Sequence, residues 1–579
     1  MKGFFKTFLA VLLALIVVSL LPVVIIFAVA GSLEPATPAI ENGSVLVINL
    51  DENITDSPRT PTFEFGGSTL EMTSSLTILE VQNALEAAAT DERIASVLIH
   101  LNGAGSIEGT AHIEEFRGLI ADFKATSGKK VVAYNEVYSQ GSYWLASVAD
   151  EVYLNPAGSF DWRGLASQSI FFKGAIDKLG LDVQIMRHGT FKSAVEPYML
   201  TRMSEANRLQ SEAMVGSLWQ TLIDDVALSR NLSPFYLNQH ATLLSVSSPK
   251  KAVELGFVDG LKYEDEIWTM LGDSDKAVTL GEYCAQLLPT KISPNKVAII
   301  YADGEIVDGE AGEGIVGGAT LAEQIARARE DAAVKAVVLR VNSPGGSALA
   351  SEVMWRELKL LEAEKPVVVS MSGYAASGGY YISSPADHIV AARTTLTGSI
   401  GVFGVMISAG NTLKDKLGIT TDVAKTSPHA DMGTMFRPLS FEEQSFMQKS
   451  VEEVYGVFVD HVAEGREMTH EAVDAIGQGR VWSGEDAKEI GLVDEFGGLK
   501  LALQRAAELA ELGDDWRVVE ILPEEDEFTA LLKSLSSVGA QSRTKGEMGL
   551  LVEEMESLGR ILEGGSSVQA RIPYFIRIY

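Results

Sequence analysis

The stretch TTLTGSIGVFG, residues 394 to 404, sets Ser399 between two glycines in an apolar run that holds neither histidine nor acid. A serine hydroxyl becomes a nucleophile only when a neighbouring group takes its proton, and this segment supplies none. Upstream, VNSPGGS (341–347) ends a β-branched run and offers the N–H groups of Gly345 and Gly346 unobstructed by side chains. Such donors suit an oxyanion hole, where preorganised N–H groups stabilise the charge that develops in acyl transfer. A tight turn needing positive φ would use the same residues. Between the two segments, SGYAASGGYYISSPAD (372–387) reads as small residues opening a helix.

Loops of this kind follow the strands of α/β proteins, and the elements that position them recur along the chain. ERIASVLIHLNGAG (92–105) parallels AAVKAVVLRVNSPGG (332–346), and KKVVAYNEVYSQGSYWLASVADEVYLNPAGSF (129–160) parallels KPVVVSMSGYAASGGYYISSPADHIVAARTTLTGSI (365–400). KKAVELGFVDGL (250–261) likewise parallels EDAKEIGLVDEFGGL (485–499), at a separation that stays near 235 to 240 residues. The chain is therefore a duplicated domain. In each copy a β-branched run (VLVINL, VAIIYA) precedes a helical pattern (LTILEVQNALEAAAT, ATLAEQIARAREDA) and a second strand, which predicts an α/β unit with a largely parallel sheet. The expected domains are 44–291 and 296–500, joined at ISPNK, with a C-terminal helical extension over 501–579.

At 579 residues the chain is long enough for several packed cores. Its net charge of -31 repels phosphate backbones, so no nucleic-acid partner is expected. The single cysteine, Cys284, excludes an internal disulfide framework and a cysteine-rich zinc site. Residues from about Thr7 to Ala30 form a charge-free apolar run long enough to span a bilayer as a helix, with Lys2 and Lys6 ahead of it favouring a cytoplasmic N-terminus. Ala28-Val29-Ala30 resembles a signal-peptidase site, but the run is about twice the length of a signal-peptide core, so residues 1–31 read as an uncleaved membrane anchor.

The series NSPGG, SGYAASGGYY and TGSIGVFG, extended by GTFKSAVEPY (189–198) and GRVWSGEDAKEIGLVD (479–494), is similar to the signal peptide peptidase A family, serine peptidase family S49. The duplicated, anchored layout resembles the long bacterial form of that family. The resemblance implies two tandem domains of the Clp protease and crotonase-like (ββα) fold behind a transmembrane helix. It also implies a lysine base, at Lys192 in TFKSAVEP. Aligning the copies puts Lys192 opposite Ala430 and Ser399 opposite Ser159, so the first copy holds the base and the second the nucleophile. Ser159, followed by Phe160-Asp161-Trp162, reads as a relic. In the implied mechanism neutral Lys192 takes the Ser399 proton, the hydroxyl attacks a peptide carbonyl, and N–H groups of Ile400, Gly345 and Gly346 hold the oxyanion. Lys192 then protonates the leaving amine and water hydrolyses the acyl-enzyme, with no metal or organic cofactor required. His429 is the rival base, as in a Ser-His pair.

The implied substrates are cleaved signal peptides and similar apolar fragments. A homo-oligomer, a tetramer by resemblance, is expected, held at the inner membrane with the catalytic part on the periplasmic or outer side. Two other classes use the same elements: a non-catalytic peptide-binding membrane scaffold, and a crotonase-like acyl-CoA enzyme. Against the latter stand the apolar span, the acidic balance and the serine itself.

Overall fold

The computed structural model describes residues 40–523, apart from 51–52, 60–61, 67–68, 74, 103–105, 108, 288–290 and 311–313, together with residues 569–571. The expected membrane helix over residues 7–30 lies outside the described residues, among which no helix is long and apolar enough to cross a membrane. From Asn42 onward the chain forms one compact unit of mixed α/β structure.

Two sheets repeat one strand order. In the first copy it runs Ala277–Thr279, Ser44–Ile48, Ile94–Ile99, Lys130–Tyr138, Glu151–Phe160, Gly260–Leu261, every neighbour parallel. In the second copy it runs Arg517–Glu520, Lys296–Asp303, Val334–Ser343, Val367–Ala376, His388–Ala391, Glu495–Phe496, again parallel. Helices cover the faces of such sheets, so their strands are apolar on both sides rather than alternating. SVLVI of the opening strand is accordingly buried at every position, and Ile300, Leu339, Val369 and Met371 share the core of the second copy. Crossover helices start on side-chain caps: Thr77 and Glu80 form a capping box for Ile78–Thr90, and Ser347 caps Ala348–Glu362. Beyond residue 500, the described helices and strands are the end of helix Leu499–Leu509, strand Arg517–Glu520 on the edge of the second sheet, and strand Gln569–Arg571.

Strand Leu396–Gly398 also pairs with Val367–Ala376, and on its other side with Val481–Ser483 in antiparallel sense, so Ser399 emerges directly from a strand end. A third sheet joins the copies. Its crossing strand, Asp182–His188 of the first copy, runs antiparallel to the post-serine strand Val402–Ser408 of the second, from His188 opposite Val402 to Asp182 opposite Ser408.

A buried ionic cluster ties the copies together as well. Arg340 Nε donates to Asp56 Oδ1 at 2.7 Å, Nη2 to Glu115 Oε2 at 2.6 Å and Nη1 to Ser370 Oγ at 2.8 Å. His112 Nε2 lies 2.8 Å from Asp56 Oδ2 and 3.1 Å from Ser372 Oγ. Burial raises the Asp56 carboxyl, but Arg340 and His112 outweigh it and hold the group well below the usual carboxylate range. Burial also opposes charge on His112, where Asp56 prevails and raises its pKa.

Removing one member of such a cluster strands the others, so Asp56→Ala should cost about 3–5 kcal/mol in urea unfolding. The depressed Asp56 pKa stabilises above the unfolded value of roughly 3.9 and loses that effect as pH falls. The raised His112 pKa stabilises fully below about 6.5 and loses its effect as pH rises through the folded value. Asp56→Asn should therefore flatten the alkaline decline in stability, measured as Tm against pH.

Candidate active site

Ser399 is 1 % exposed and sits at φ 50°, in the left-handed region that costs a residue bearing a Cβ on the order of 1–3 kcal/mol. Its N–H donates to the Arg480 carbonyl at 2.7 Å, and the preceding Gly398 carbonyl accepts from Ser377 N–H at 2.8 Å. These bonds hold the turn and fix where the hydroxyl points. Arg480 is itself clamped, its guanidinium stacked 3.9 Å from the Trp482 ring centroid and 5.2 Å from that of Phe191.

Lys192 arrives from the first copy at the end of the crossing strand. The ladder with Val402–Ser408 sets the height of His188, and the chain then turns through Gly189, with Phe191 N–H donating to Gln478 O at 2.9 Å. Gln210, on helix Glu205–Arg230, donates to Phe191 O at 3.0 Å and Ser193 Oγ at 2.8 Å while its Oε1 accepts from Val481 N–H at 3.2 Å. One amide side chain thus spans the segment bearing Lys192 and the strand beside Ser399. Gly479, at φ 76°, lies so close that a Cβ there would stand 2.6 Å from Lys192 Cβ. Only glycine lets the two backbones meet.

The structure brings Lys192 Nζ to 3.1 Å from Ser399 Oγ, 3.3 Å from Ser399 O and 2.8 Å from Ser377 Oγ. Lys192 is 1 % exposed, and burial holds its amine well below the ordinary lysine range. Its hydrogen-bond partners among the described residues are two hydroxyls and a carbonyl, with the Phe403 ring 6.0 Å away, and no described carboxylate contributes to its shift. A neutral amine carries a lone pair, so along the 3.1 Å contact the Ser399 hydroxyl can donate to Nζ.

The glycine strand, Gly345–Ser347, lies against the start of helix Gly378–Ser383: a Cβ on Gly378 would stand 3.2 Å from Gly345 Cα and from Gly346 N. It is therefore next to Ser377. Gly345 N–H donates to Ser343 Oγ at 3.2 Å, while Gly346 takes a ladder position opposite Ile306 and Ala570. Ile400 is buried beside Ser399, its carbonyl accepting from Gly479 N–H at 2.7 Å. His429 is 51 % exposed with Nδ1 3.1 Å from Glu443 Oε1. Ser159 is exposed at a ladder position opposite Val137. Among the described residues no cluster of histidine, cysteine and carboxylate side chains could hold a metal ion.

Ser377 escaped the sequence reading. It lies within SGYAASGGYY, where one more small residue among small residues carries no signal. Gln210 and Arg480 act through contacts distant in sequence, which no local pattern announces.

Two segments, residues 124–278 and 359–513, match the model of peptidase family S49. The chain is 35% identical over 562 residues to Protease 4 of Haemophilus influenzae, covering 92% of this chain and 90% of the relative. It is 40% identical over 471 residues to Protease 4 of Salmonella typhi, covering 77% and 74%. With the chloroplastic serine protease SPPA of Arabidopsis thaliana it shares 32% identity over 557 residues, covering 92% and 78%.

Gly479→Ala should cost about 2–4 kcal/mol and displace Lys192, through clash and positive φ together. Ser377→Ala leaves the packing and removes one partner of a buried amine, a loss of about 1–3 kcal/mol where it is felt. The expected result is a Tm close to wild type with Ser399 modification by a fluorophosphonate slowed roughly tenfold.

Proposed function

The chain belongs to peptidase family S49, and we propose that it is a serine endopeptidase in which Lys192 and Ser399 form the catalytic dyad. The observation that carries this reading is the 3.1 Å contact between a fully buried lysine amine and the hydroxyl of a buried serine. At its reference pKa of roughly 10.4 a lysine is almost wholly protonated near pH 7, and desolvation is what makes it a base. Neutral Lys192 takes the proton as Ser399 Oγ attacks the peptide carbonyl. The N–H groups of Ile400 and of the Gly345-Gly346 strand stabilise the oxyanion, and the protonated amine then returns its proton to the leaving nitrogen. Water, deprotonated by the same lysine, hydrolyses the acyl-enzyme. Ser377 acts as a positioning residue, holding Nζ on line with the hydroxyl.

Each copy is read as a Clp protease and crotonase-like repeat. The apolar N-terminal run is read as a single-pass anchor in the inner membrane, with the catalytic part on its outer side. Confinement there would bring the site to cleaved signal peptides and similar apolar remnants, the proposed substrates. The assembly proposed is a homo-oligomer, a tetramer by family likeness. On this reading, with Lys192 and Ser399 in contact within one chain, each protomer would carry a whole dyad.

Lys192→Ala should abolish fluorophosphonate labelling of Ser399 and peptide cleavage, whereas His429→Ala leaves most of both; the reverse pattern would reject the lysine assignment. Labelling that persists without any peptide cleavage would favour a binding scaffold. The sign of the pH effect follows from the depressed pKa of Lys192. The labelling rate should rise with pH as the amine loses its proton and level off well below the roughly 10.4 of an ordinary lysine. Stability shares that window. The unfolded chain holds this proton more tightly, so the cost of burying Lys192 is absent above about 10.4 and grows as pH falls toward the folded value.

A further inference from the structure

The turn Gly477-Gln478-Gly479-Arg480 touches both halves of the proposed dyad. On one side the Gln478 carbonyl accepts from the N–H of Phe191, the neighbour of Lys192, at 2.9 Å. On the other, Gly479 N–H donates to Ile400 O and the Arg480 carbonyl accepts from Ser399 N–H, each at 2.7 Å. The segments that carry the base and the nucleophile are therefore hydrogen-bonded to one short piece of backbone.

We propose that Gln478 is a positioning residue for the dyad, its side chain clamped by Tyr455 and Asp474 so that the turn sets the distance between Lys192 Nζ and Ser399 Oγ. The inference rests on the peptidase reading above, because that reading gives the amine and the hydroxyl their roles.

Three observations carry it. Gln478 stands at φ 53° between two glycines. Glycine adopts that conformation freely, whereas a residue bearing a Cβ is strained there and persists only where its surroundings over-determine it. The surroundings are a closed set of hydrogen bonds. Gln478 Nε2 donates to Asp474 Oδ1 at 2.5 Å, one turn back on helix His470–Ile476, and to Tyr455 Oη at 3.3 Å. The backbone N–H of Gln478 donates to the same Tyr455 Oη at 3.3 Å, and that hydroxyl donates to Asp474 Oδ1 at 2.5 Å. Burial and the Asp474 carboxylate hold the Tyr455 phenol well above its ordinary range, so it keeps the proton it donates. Lastly, the clamp reaches the first copy. His188, which ends the crossing strand, stacks on Tyr455 with ring centroids 3.7 Å apart, its Nδ1 meeting Glu452 Oε2 and its Nε2 lying 3.5 Å from Gln478 Nε2. Gly189 follows at φ 106°, where a Cβ would stand 2.4 Å from the Gln478 carbonyl oxygen. A turn that shifts must then carry the lysine segment with it, and proton transfer between Nζ and Oγ tolerates little displacement.

The test uses full-length protein in detergent, with a fluorogenic peptide for kcat and KM and a fluorophosphonate for the reactivity of Ser399. Gln478→Gly removes the clamped side chain and relieves the strained φ, so its Tm should stay close to wild type. Tyr455→Phe is the second arm, since it keeps the ring on His188 and removes the hydroxyl. Each should lower kcat and the labelling rate about tenfold with KM unchanged. The double variant should be no slower than the slower single one, because both changes act through one clamp. Wild-type labelling rates in both variants, or a loss confined to Tm, overturn the positioning role and leave the peptidase reading standing as long as Lys192→Ala abolishes labelling. Labelling that survives Lys192→Ala overturns both.

Discussion

The arrangement depends on a lysine amine kept dry with no counter-charge among the described residues. Two hydroxyls and one carbonyl are what Lys192 Nζ touches, and burial alone depresses its pKa. A carboxylate at the same place would restore the ammonium. The desolvation cost must therefore be met by backbone geometry around it: the crossing ladder, the amide bridge of Gln210 and the close contact with Gly479. Elsewhere between the copies the opposite solution holds. Arg340, Asp56 and His112 are buried against charged partners, with Glu115 on the Arg340 guanidinium, and these pairings serve cohesion.

Duplication made this division possible. The two main sheets keep one strand order, yet the segments after their equivalent serines have parted. In the second copy Val402–Ser408 forms a strand that the first copy's Asp182–His188 can pair with. In the first copy Phe160 and Trp162 turn inward onto Tyr143 and Phe257, with ring centroids 4.6 to 5.7 Å apart. Aromatic rings fill this corner, and Ser159 is left facing solvent.

What could be read from residues alone follows from range. The parallel strands are near-continuous β-branched runs, and their recurrence marked both sheets; Gly345 and Gly346 would equally suit a tight turn, and only their setting in one series with Ser399 singled them out. Lys192 was legible only through family likeness, since an isolated TFKSA is an ordinary stretch of chain. The crossing ladder was not legible at all. DVQIMRH has a half-apolar pattern that fits an edge, and its partner lies more than two hundred positions away. Ser377 and the Arg340 cluster were hidden for the same reason, as their meaning comes from groups the other copy supplies.

The third sheet also couples two requirements that could have been separate. Its post-serine strand pairs on one edge with the strand that delivers Lys192 and on the other with Gln569–Arg571. The post-serine strand is thus hydrogen-bonded on both edges while it sets the position of Lys192. Backbone pairing restricts the strand's excursions, and a Nζ–Oγ contact effective for proton transfer tolerates little of them. In the proposed dyad, pairing along Val402–Ser408 and alignment of the amine are therefore one structural event.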